Sequence, residues 1–408
     1  MTPALQFLLA LGTLIACARI GGALSKRLGQ PAVLGELLAG VLLGPSLVNY
    51  FHLPWLTDEH LDDGIQHLAE LGVIFLMFLA GLEINVSEML KTGRAAALAG
   101  VGGVVATSLL GFGITWAFGL PPLTALFLSL ALTATSVGIS AQTLRELGAL
   151  RRRESLTLLG AAVIDDILVL LLLSVFLALT GSAAGGVVNV IIRLAVYFIG
   201  LVGLGWFALP RLTHWIERRP ISQGLMSFVI VTTLLTAWAA EAVGGIAALT
   251  GAFLAGLMFA RTTARKEIEH NLATLTYGVC APLFFVSIGL QANLRAVTGA
   301  GWLFSGLLIL IVAASKILGG GLGARWGGLT ASEALRLGIG MIARGEVVLI
   351  VASVGLSIGL IDSALFAQVV VVVLATTLLT PLLLRWVYAR EERQEKEREK
   401  EKVAATKG

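Results

Sequence analysis

The run GAAVIDDILVLLLL, residues 160–173, decides how the chain is interpreted. Its residues are apolar or glycine apart from two adjacent carboxylates near the centre, Asp165 and Asp166. A helix that crosses a bilayer needs about 20 mostly apolar residues, and an ionisable group at its middle costs several kcal/mol. Such groups usually serve function. The run therefore predicts a membrane helix with a functional carboxylate near its centre.

The composition of the whole chain is that of a membrane protein. Of its 408 residues 57% are hydrophobic and 13% are charged, and the mean hydropathy is +0.91. A soluble domain carries about 25% charged residues, roughly twice this share. The apolar content excludes intrinsic disorder. The net charge of +4 is typical of basic cytoplasmic loops, and no nucleic-acid partner is expected. We expect an all-α polytopic protein of the lipid bilayer.

Apolar windows of about 20 residues, separated at charges and at Gly/Pro clusters, predict thirteen transmembrane helices. These spans lie near residues 4–24, 31–50, 64–84, 95–118, 121–143, 155–181, 187–210, 221–242, 244–261, 271–293, 301–322, 333–360 and 363–388. The first run has no basic residues before it, so we expect a retained helix and not a signal peptide.

Basic residues fall on every second loop, after spans 1, 3, 5, 7, 9, 11 and 13. Because Lys and Arg accumulate on cytoplasmic loops, the N-terminus is expected outside the cell and the C-terminus in the cytoplasm. The expected location is the cell (inner) membrane. The tail, 390–408, holds seven basic and six acidic residues and is expected to be a solvated cytoplasmic extension.

Two pairs of stretches resemble each other in matching order. FLAGLEIN (78–85) is similar to FVSIGLQAN (285–293). Upstream of these two stretches, GELLAGVLLG (35–44) is similar to TGAFLAGLMFA (250–260). Aligning them makes spans 1–6 one unit and spans 8–13 another, with span 7 as a connector. Since the offset of seven spans is odd, the two units cross the membrane in opposite senses. Such a 6+1+6 inverted repeat is typical of secondary transporters, whose sites lie at the midplane between the repeats.

Several polar residues lie at a similar depth to the aspartates, near the middle of other spans. They are Lys316 in span 11, Arg344 and Glu346 in span 12, and Thr133, Thr135 and Ser136 in span 5. Spans 5 and 12 are both the fifth of six in their unit, and polar residues with glycine interrupt both. The pattern predicts two broken helices that line the site. Arg344 and Glu346 are expected to compensate the charge of the exposed helix ends.

The two aspartates are expected to have different partners. Adjacent helical residues point about 100° apart, so one carboxylate can pair with Lys316 while the other faces a cavity. Carboxylate and carbonyl oxygens suit hard cations, and a carboxylate can exchange its proton for one. The hydroxyls of Thr133, Thr135 and Ser136 either add oxygen ligands or bond to their own helix.

Four of these stretches together resemble the monovalent cation:proton antiporter family 2. They are QPAVLGELLAGVLLGP (30–45), GLE (81–83), TATSVG (133–138) and IDD (164–166), and the resemblance extends over residues 1 to about 388. With Lys316, the chain is most similar to bacterial Na⁺/H⁺ antiporters of the NapA type. The resemblance implies that Asp166 binds the cation, Na⁺ or Li⁺, in exchange for protons, and that Asp165 forms a proton-coupled ion pair with Lys316.

The resemblance also implies that the broken helices of spans 5 and 12 cross each other. It further implies a homodimer in which each protomer has a dimer domain and a core domain that moves like an elevator. The halves of the dimer domain would be residues 1–93 and 220–298, those of the core domain 94–183 and 299–389, with a linker helix in 184–219 and the tail in 390–408.

Two other functions compare with cation/proton exchange as follows. A K⁺/H⁺ antiporter would share every feature of the fold. An intramembrane aspartyl protease needs two aspartates on facing helices, and here the two deep aspartates are neighbours on one helix. We therefore expect a transporter and not an enzyme, with no cofactor besides the transported ions.

Overall fold

The computed structural model describes residues 2–58, 60–179, 186–217, 223–297 and 299–407, and within these ranges the chain forms helices and no β-strand. The helices are α1 (Pro3–Arg27), α2 (Ala32–Leu43), α3 (Leu61–Leu82), α4 (Val86–Lys91), α5 (Gly93–Ala117), α6 (Pro122–Ala131), α7 (Val137–Glu146), α8 (Arg153–Leu179), α9 (Gly186–Gly203), α10 (Leu209–Glu217), α11 (Gly224–Ala239), α12 (Ala248–Phe259), α13 (Arg265–Leu275), α14 (Ala281–Leu290), α15 (Ala300–Ser315), α16 (Gly321–Trp326), α17 (Ala331–Gly340), α18 (Glu346–Ser357) and α19 (Ser363–Lys407). Single π-helical turns follow α9, α11, α13 and α15.

Many of these helices have the length and composition of membrane spans. In the described ranges, eight are long and apolar enough to cross a bilayer, counting the π-helical turns within them. Five shorter apolar helices of 10–17 residues are Ala32–Leu43, Pro122–Ala131, Val188–Gly203, Ala248–Phe259 and Val347–Leu356. The predicted all-helical membrane class is confirmed, whereas the count of thirteen crossings and their orientation stay predictions. The predicted boundary at residues 183 and 184 lies outside the described residues.

Two of the predicted spans are interrupted near their centres. The segment 132–136 separates α6 from α7, and the segment 341–345 separates α17 from α18. The two segments lie side by side, since the backbone amide of Ser136 donates to the carbonyl of Ala343 at 2.8 Å. Backbone groups that leave a helix inside a bilayer need partners within the protein, and this bond supplies one for each segment.

Glycines join the two sequence repeats by close and reciprocal contacts. Gly81 of α3 faces the backbone of α12 at Phe253, and Gly256 of α12 faces the backbone of α3 at Phe78. Gly40 of α2 and Gly289 of α14 face each other in the same way. Gly40 and Gly256 follow Leu-Ala in the two matched stretches, so equivalent residues of the repeats make equivalent contacts. Small residues are what allow membrane helices to approach this closely.

A second set of helices packs around α5. Gly102 of α5 faces the backbone of Gly319 in the turn after α15, and Gly323 of α16 faces the backbone of α5 at Leu98. On another side, α5 packs along α8. The first set of helices, α2, α3, α12 and α14, comes from residues predicted to form the dimer domain. The second set, α5, α8, α15 and α16, comes from residues predicted to form the core domain. That division into domains stays a prediction.

We predict that Gly256→Ala lowers the thermal stability of the detergent-solubilised protein. The added Cβ would overlap the carbonyl oxygen of Phe78, and overpacking of this kind typically costs about 1–3 kcal/mol. Gly306→Ala is the matched control, because Gly306 is also helical and has nothing within 4 Å of an added Cβ. Thermal unfolding monitored by the amount of monodisperse protein measures both. Equal melting temperatures for the two variants would contradict the close packing of α3 on α12.

Candidate functional site

Asp165 and Lys316 form an ion pair in the interior of the second set of helices. Lys316 Nζ lies 2.8 Å from Asp165 Oδ2 and 3.1 Å from Oδ1. Both side chains are fully buried. The hydroxyl of Thr135, in the interrupted segment between α6 and α7, donates to the same Oδ2 at 2.5 Å. Taking two charges out of water is costly, and this close pairing with an added hydrogen bond offsets the cost.

The local backbone makes room for the lysine. Lys316 begins the π-helical turn that follows α15, and turns of this type are frequent at functional sites. Its side chain passes Gly103 of α5, where an added Cβ would lie only 3.3 Å from both Cδ and Nζ. A glycine at this position therefore leaves the ammonium free to reach Asp165 across the helix interface.

Asp166 has different surroundings from its neighbour. The hydroxyl of Thr250, in the first turn of α12, donates to Asp166 Oδ2. The side chain is 8% exposed and lines a narrow cavity of about 20 Å³, enough for one water-sized occupant. Three residues of the cavity lining carry a polar side chain: Asp166, Thr135 and Thr250. The rest of the lining is Met77, Val137, Leu159, Val163, Ala247, Leu249, Phe253 and Val347.

Arg344 joins the ends of the two interrupted helices. It is fully buried in the segment between α17 and α18. Its Nη1 donates to the carbonyl of Ala134 at 3.1 Å, and it lies 3.4 Å from the carbonyl of Met341. These carbonyls follow the C-terminal ends of α6 and α17, where a cation is favourable. Glu346 is the first residue of α18, and its side chain lies outside the described part of the chain.

The three hydroxyls predicted to line the site have three different environments. Thr135 alone among them bonds to a carboxylate, and it also lies 3.4 Å from Arg344 Nη1. The Thr133 hydroxyl donates to the carbonyl of Leu130, in the last turn of α6, at 2.6 Å. The Ser136 hydroxyl is buried and has no hydrogen-bond partner among the described residues.

Two polar residues next to these groups were missed by sequence reasoning. Thr250 contacts Asp166 from the other repeat, and Thr377 of α19 donates to the carbonyl of Arg344 at 2.6 Å. Both are threonines within apolar helices. The sequence carries no signal that separates them from the many threonines that bond to their own helix, such as Thr233.

The arrangement separates the two carboxylates by chemistry. Lys316 and Thr135 donate to Asp165, whereas Asp166 accepts from Thr250 and lies on a cavity of about 20 Å³. A carboxylate with hydroxyl oxygens beside it suits a hard cation, and the same carboxylate can hold a proton instead. Asp166 is thus the group at which a proton and a small cation can compete.

The sodium/hydrogen exchanger transmembrane family matches residues 13–390. The chain is 35% identical over 388 residues to the Na⁺/H⁺-K⁺ antiporter GerN of Bacillus cereus, covering 95% of this chain and 98% of the relative. It is 34% identical over 385 residues to a Na⁺/H⁺ antiporter of Enterococcus hirae, covering 94% and 98%. Among solved structures, the sodium proton antiporter MjNhaP1 of Methanocaldococcus jannaschii is similar with a TM-score of 0.74 over 95% of this chain and 97% of the other, at 17% identity.

The likeness to MjNhaP1 concerns the fold alone, because so few residues are identical. The family match and the bacterial relatives each span nearly the whole chain. The chain therefore belongs to the sodium/hydrogen exchanger family.

Proposed function

We propose that this protein exchanges Na⁺ or Li⁺ for protons across the cell membrane, with Asp166 as the shared binding group. The observation that carries the proposal is the unequal environment of the two adjacent aspartates. Lys316 and Thr135 donate to Asp165, whereas Asp166 accepts from Thr250 and lines a cavity of about 20 Å³, sufficient for one small ion. Two relatives that align with nearly the whole chain are named as Na⁺/H⁺ antiporters, which supports the same exchange here.

The exchange follows from competition at one carboxylate. A proton neutralises Asp166, and a cation bound to the carboxylate compensates the same charge. Since the cavity is small and lined mostly by apolar residues, an uncompensated carboxylate is costly there. Binding of one substrate therefore favours release of the other.

We further propose that the Asp165–Lys316 pair moves a second proton. A cation beside Asp166 also attracts Asp165, its neighbour on α8, and weakens the bond to Lys316. An ammonium without its carboxylate is costly in this fully buried position, so Lys316 gives up a proton. More than one proton then moves against each cation, and the exchange is electrogenic. Each uncompensated charge is driven by about 2.3 kcal/mol per 100 mV.

Movement of the second set of helices against the first would carry Asp166 across the membrane. Within each set, glycines bring backbones into contact, which favours movement as a unit. Between the sets, side-chain contacts such as Arg145 Nε to Glu83 Oε1, 2.7 Å, and Thr250 to Asp166 are polar and separable. This is the basis for an elevator-type mechanism in a homodimer.

K⁺ remains the alternative substrate. The printed name of GerN includes K⁺ as well as Na⁺, and the carboxylate of Asp166 does not by itself distinguish the two ions. Proteoliposome transport measured with Na⁺, Li⁺ and K⁺ in turn shows which of these cations is exchanged for protons. Exchange with K⁺ alone would replace the sodium proposal.

We predict that Asp166→Asn folds and reaches the membrane but reduces Na⁺-driven proton movement to the background of empty liposomes. The amide cannot release a proton, so competition at this position is lost. Proton movement is followed with a pH-sensitive dye in proteoliposomes. Asp63→Asn is the control, because it removes a carboxylate whose side chain is 75% exposed at the start of α3. Robust Na⁺/H⁺ exchange by Asp166→Asn would contradict the assignment.

We also predict that Lys316→Gln makes any remaining exchange insensitive to voltage, because the second titrating group is gone. Na⁺/H⁺ exchange is measured in liposomes with and without an imposed potential, with Lys26→Gln at the exposed end of α1 as the control. If the single variant is unstable, the double variant Asp165→Asn/Lys316→Gln removes both charges and restores the melting temperature. A wild type that ignores the potential, or a Lys316→Gln protein that responds to it as wild type does, refutes the coupling.

A further inference from the structure

The contact between Asp166 and Thr250 joins the two sets of helices at the centre of the site. Asp166 belongs to α8, which packs along α5, and Thr250 belongs to α12, which packs on α3 through Gly256 and Gly81. The Thr250 side chain is buried, with 5% of its surface exposed, and its hydroxyl donates to Oδ2 of the carboxylate. Many buried threonine hydroxyls in the described residues bond to a carbonyl of their own helix, whereas this bond joins two helices.

We propose that Thr250 is an oxygen ligand of the transported cation. Because Thr250 belongs to α12, past which the core is proposed to move, the complete site exists at one position of the core only. The inference rests on the proposed exchange at Asp166. Thr250 is one of three residues with a polar side chain on the cavity. The hydroxyl of Thr135 donates to Asp165, whereas the hydroxyl of Thr250 donates to Asp166 itself.

The chemistry of a hydroxyl allows this role. A threonine hydroxyl has one proton to donate and two lone pairs that accept. In the structure the Thr250 hydroxyl donates to Asp166. When a cation enters beside the carboxylate, rotation about the Cβ–Oγ1 bond turns the proton away and presents a lone pair to the cation. The same group then stabilises the negative carboxylate and the cation complex in turn, without movement of the backbone.

The place of Thr250 has a consequence for transport. Thr135, Asp165 and Asp166 belong to helices proposed to move together, so their mutual contacts persist at every position of the core. Thr250 lies on α12, so any displacement of α8 along α12 by several ångströms separates its hydroxyl from Asp166. The cation then loses one ligand, and its affinity falls on the side of the membrane where the displaced site opens. Loss of Thr250 should therefore change the cation affinity measured at one face only.

The test compares Thr250→Val, which keeps the shape and removes the hydroxyl, with Thr250→Ser, which keeps the hydroxyl. The KM for Na⁺ is measured for each membrane face separately in proteoliposomes. A membrane-impermeant thiol reagent, acting at an engineered cysteine, inhibits the molecules inserted in one orientation, so that transport reports on those in the other. Na⁺-dependent thermal stabilisation of the purified full-length protein provides a second readout that does not depend on transport. Thr233→Val is the matched control, because Thr233 is fully buried in α11 and donates only to the carbonyl of Val229 at 2.8 Å.

For Thr250→Val we expect the KM at one face to rise about tenfold, the usual consequence of losing one polar contact to a charged group. The Na⁺ concentration for half-maximal thermal stabilisation should rise with it, and Thr250→Ser and Thr233→Val should stay close to wild type. An unchanged KM with a lowered melting temperature would overturn the ligand role and leave a packing role. Equal rises at both faces would overturn the dependence on core position. If the wild type itself fails to exchange Na⁺, the proposed function fails, and that result is distinct from either.

Discussion

A carboxylate and an ammonium, Asp165 and Lys316, lie in contact in the interior of the molecule, with no exposed surface on either side chain. Burying either charge alone costs several kcal/mol, so the two side chains must stay in contact and the neighbouring backbone must allow it. Gly103 on α5 must be small, and the turn at Lys316 must widen into a π-helix to aim the side chain. The pairing also fixes the rotation of α8. With Asp165 turned toward Lys316, the next residue is directed to a different face, where it meets the cavity and Thr250.

The interrupted helices solve a related electrostatic problem. Ending α6 and α17 inside the molecule leaves carbonyl groups without helical partners, and one buried guanidinium, Arg344, serves carbonyls from both ends. Arg344 also lies near Thr135, which bonds to Asp165. Arg344 and the Asp165–Lys316 pair are thus connected through Thr135.

The sequence made the charged members of the site easy to find and their arrangement harder. Asp165, Asp166 and Lys316 stand out because ionisable residues are costly in apolar runs. The interruptions in spans 5 and 12 were visible for the same reason. Thr250 was missed because a threonine in a membrane helix usually bonds to its own backbone, and only tertiary packing brings α12 against α8. The span predicted near 244–261 begins four residues before α12, which starts at Ala248. The π-helical turn Ala240–Gly244 and Gly245, with φ of +73°, precede the helix.

The repeat in the sequence has a physical meaning that the helix contacts make explicit. Span 2 of the first unit packs on span 10 of the second at Gly40 and Gly289, and span 3 packs on span 9 at Gly81 and Gly256. Each unit therefore completes the other, and neither buries its glycine faces alone. Close backbone packing of this kind resists sliding, whereas α7 and α8 make polar contacts with α3 and α12. In the proposed mechanism these polar contacts would break and re-form, and a site with ligands on both sides of that boundary would couple cation binding to movement of the core.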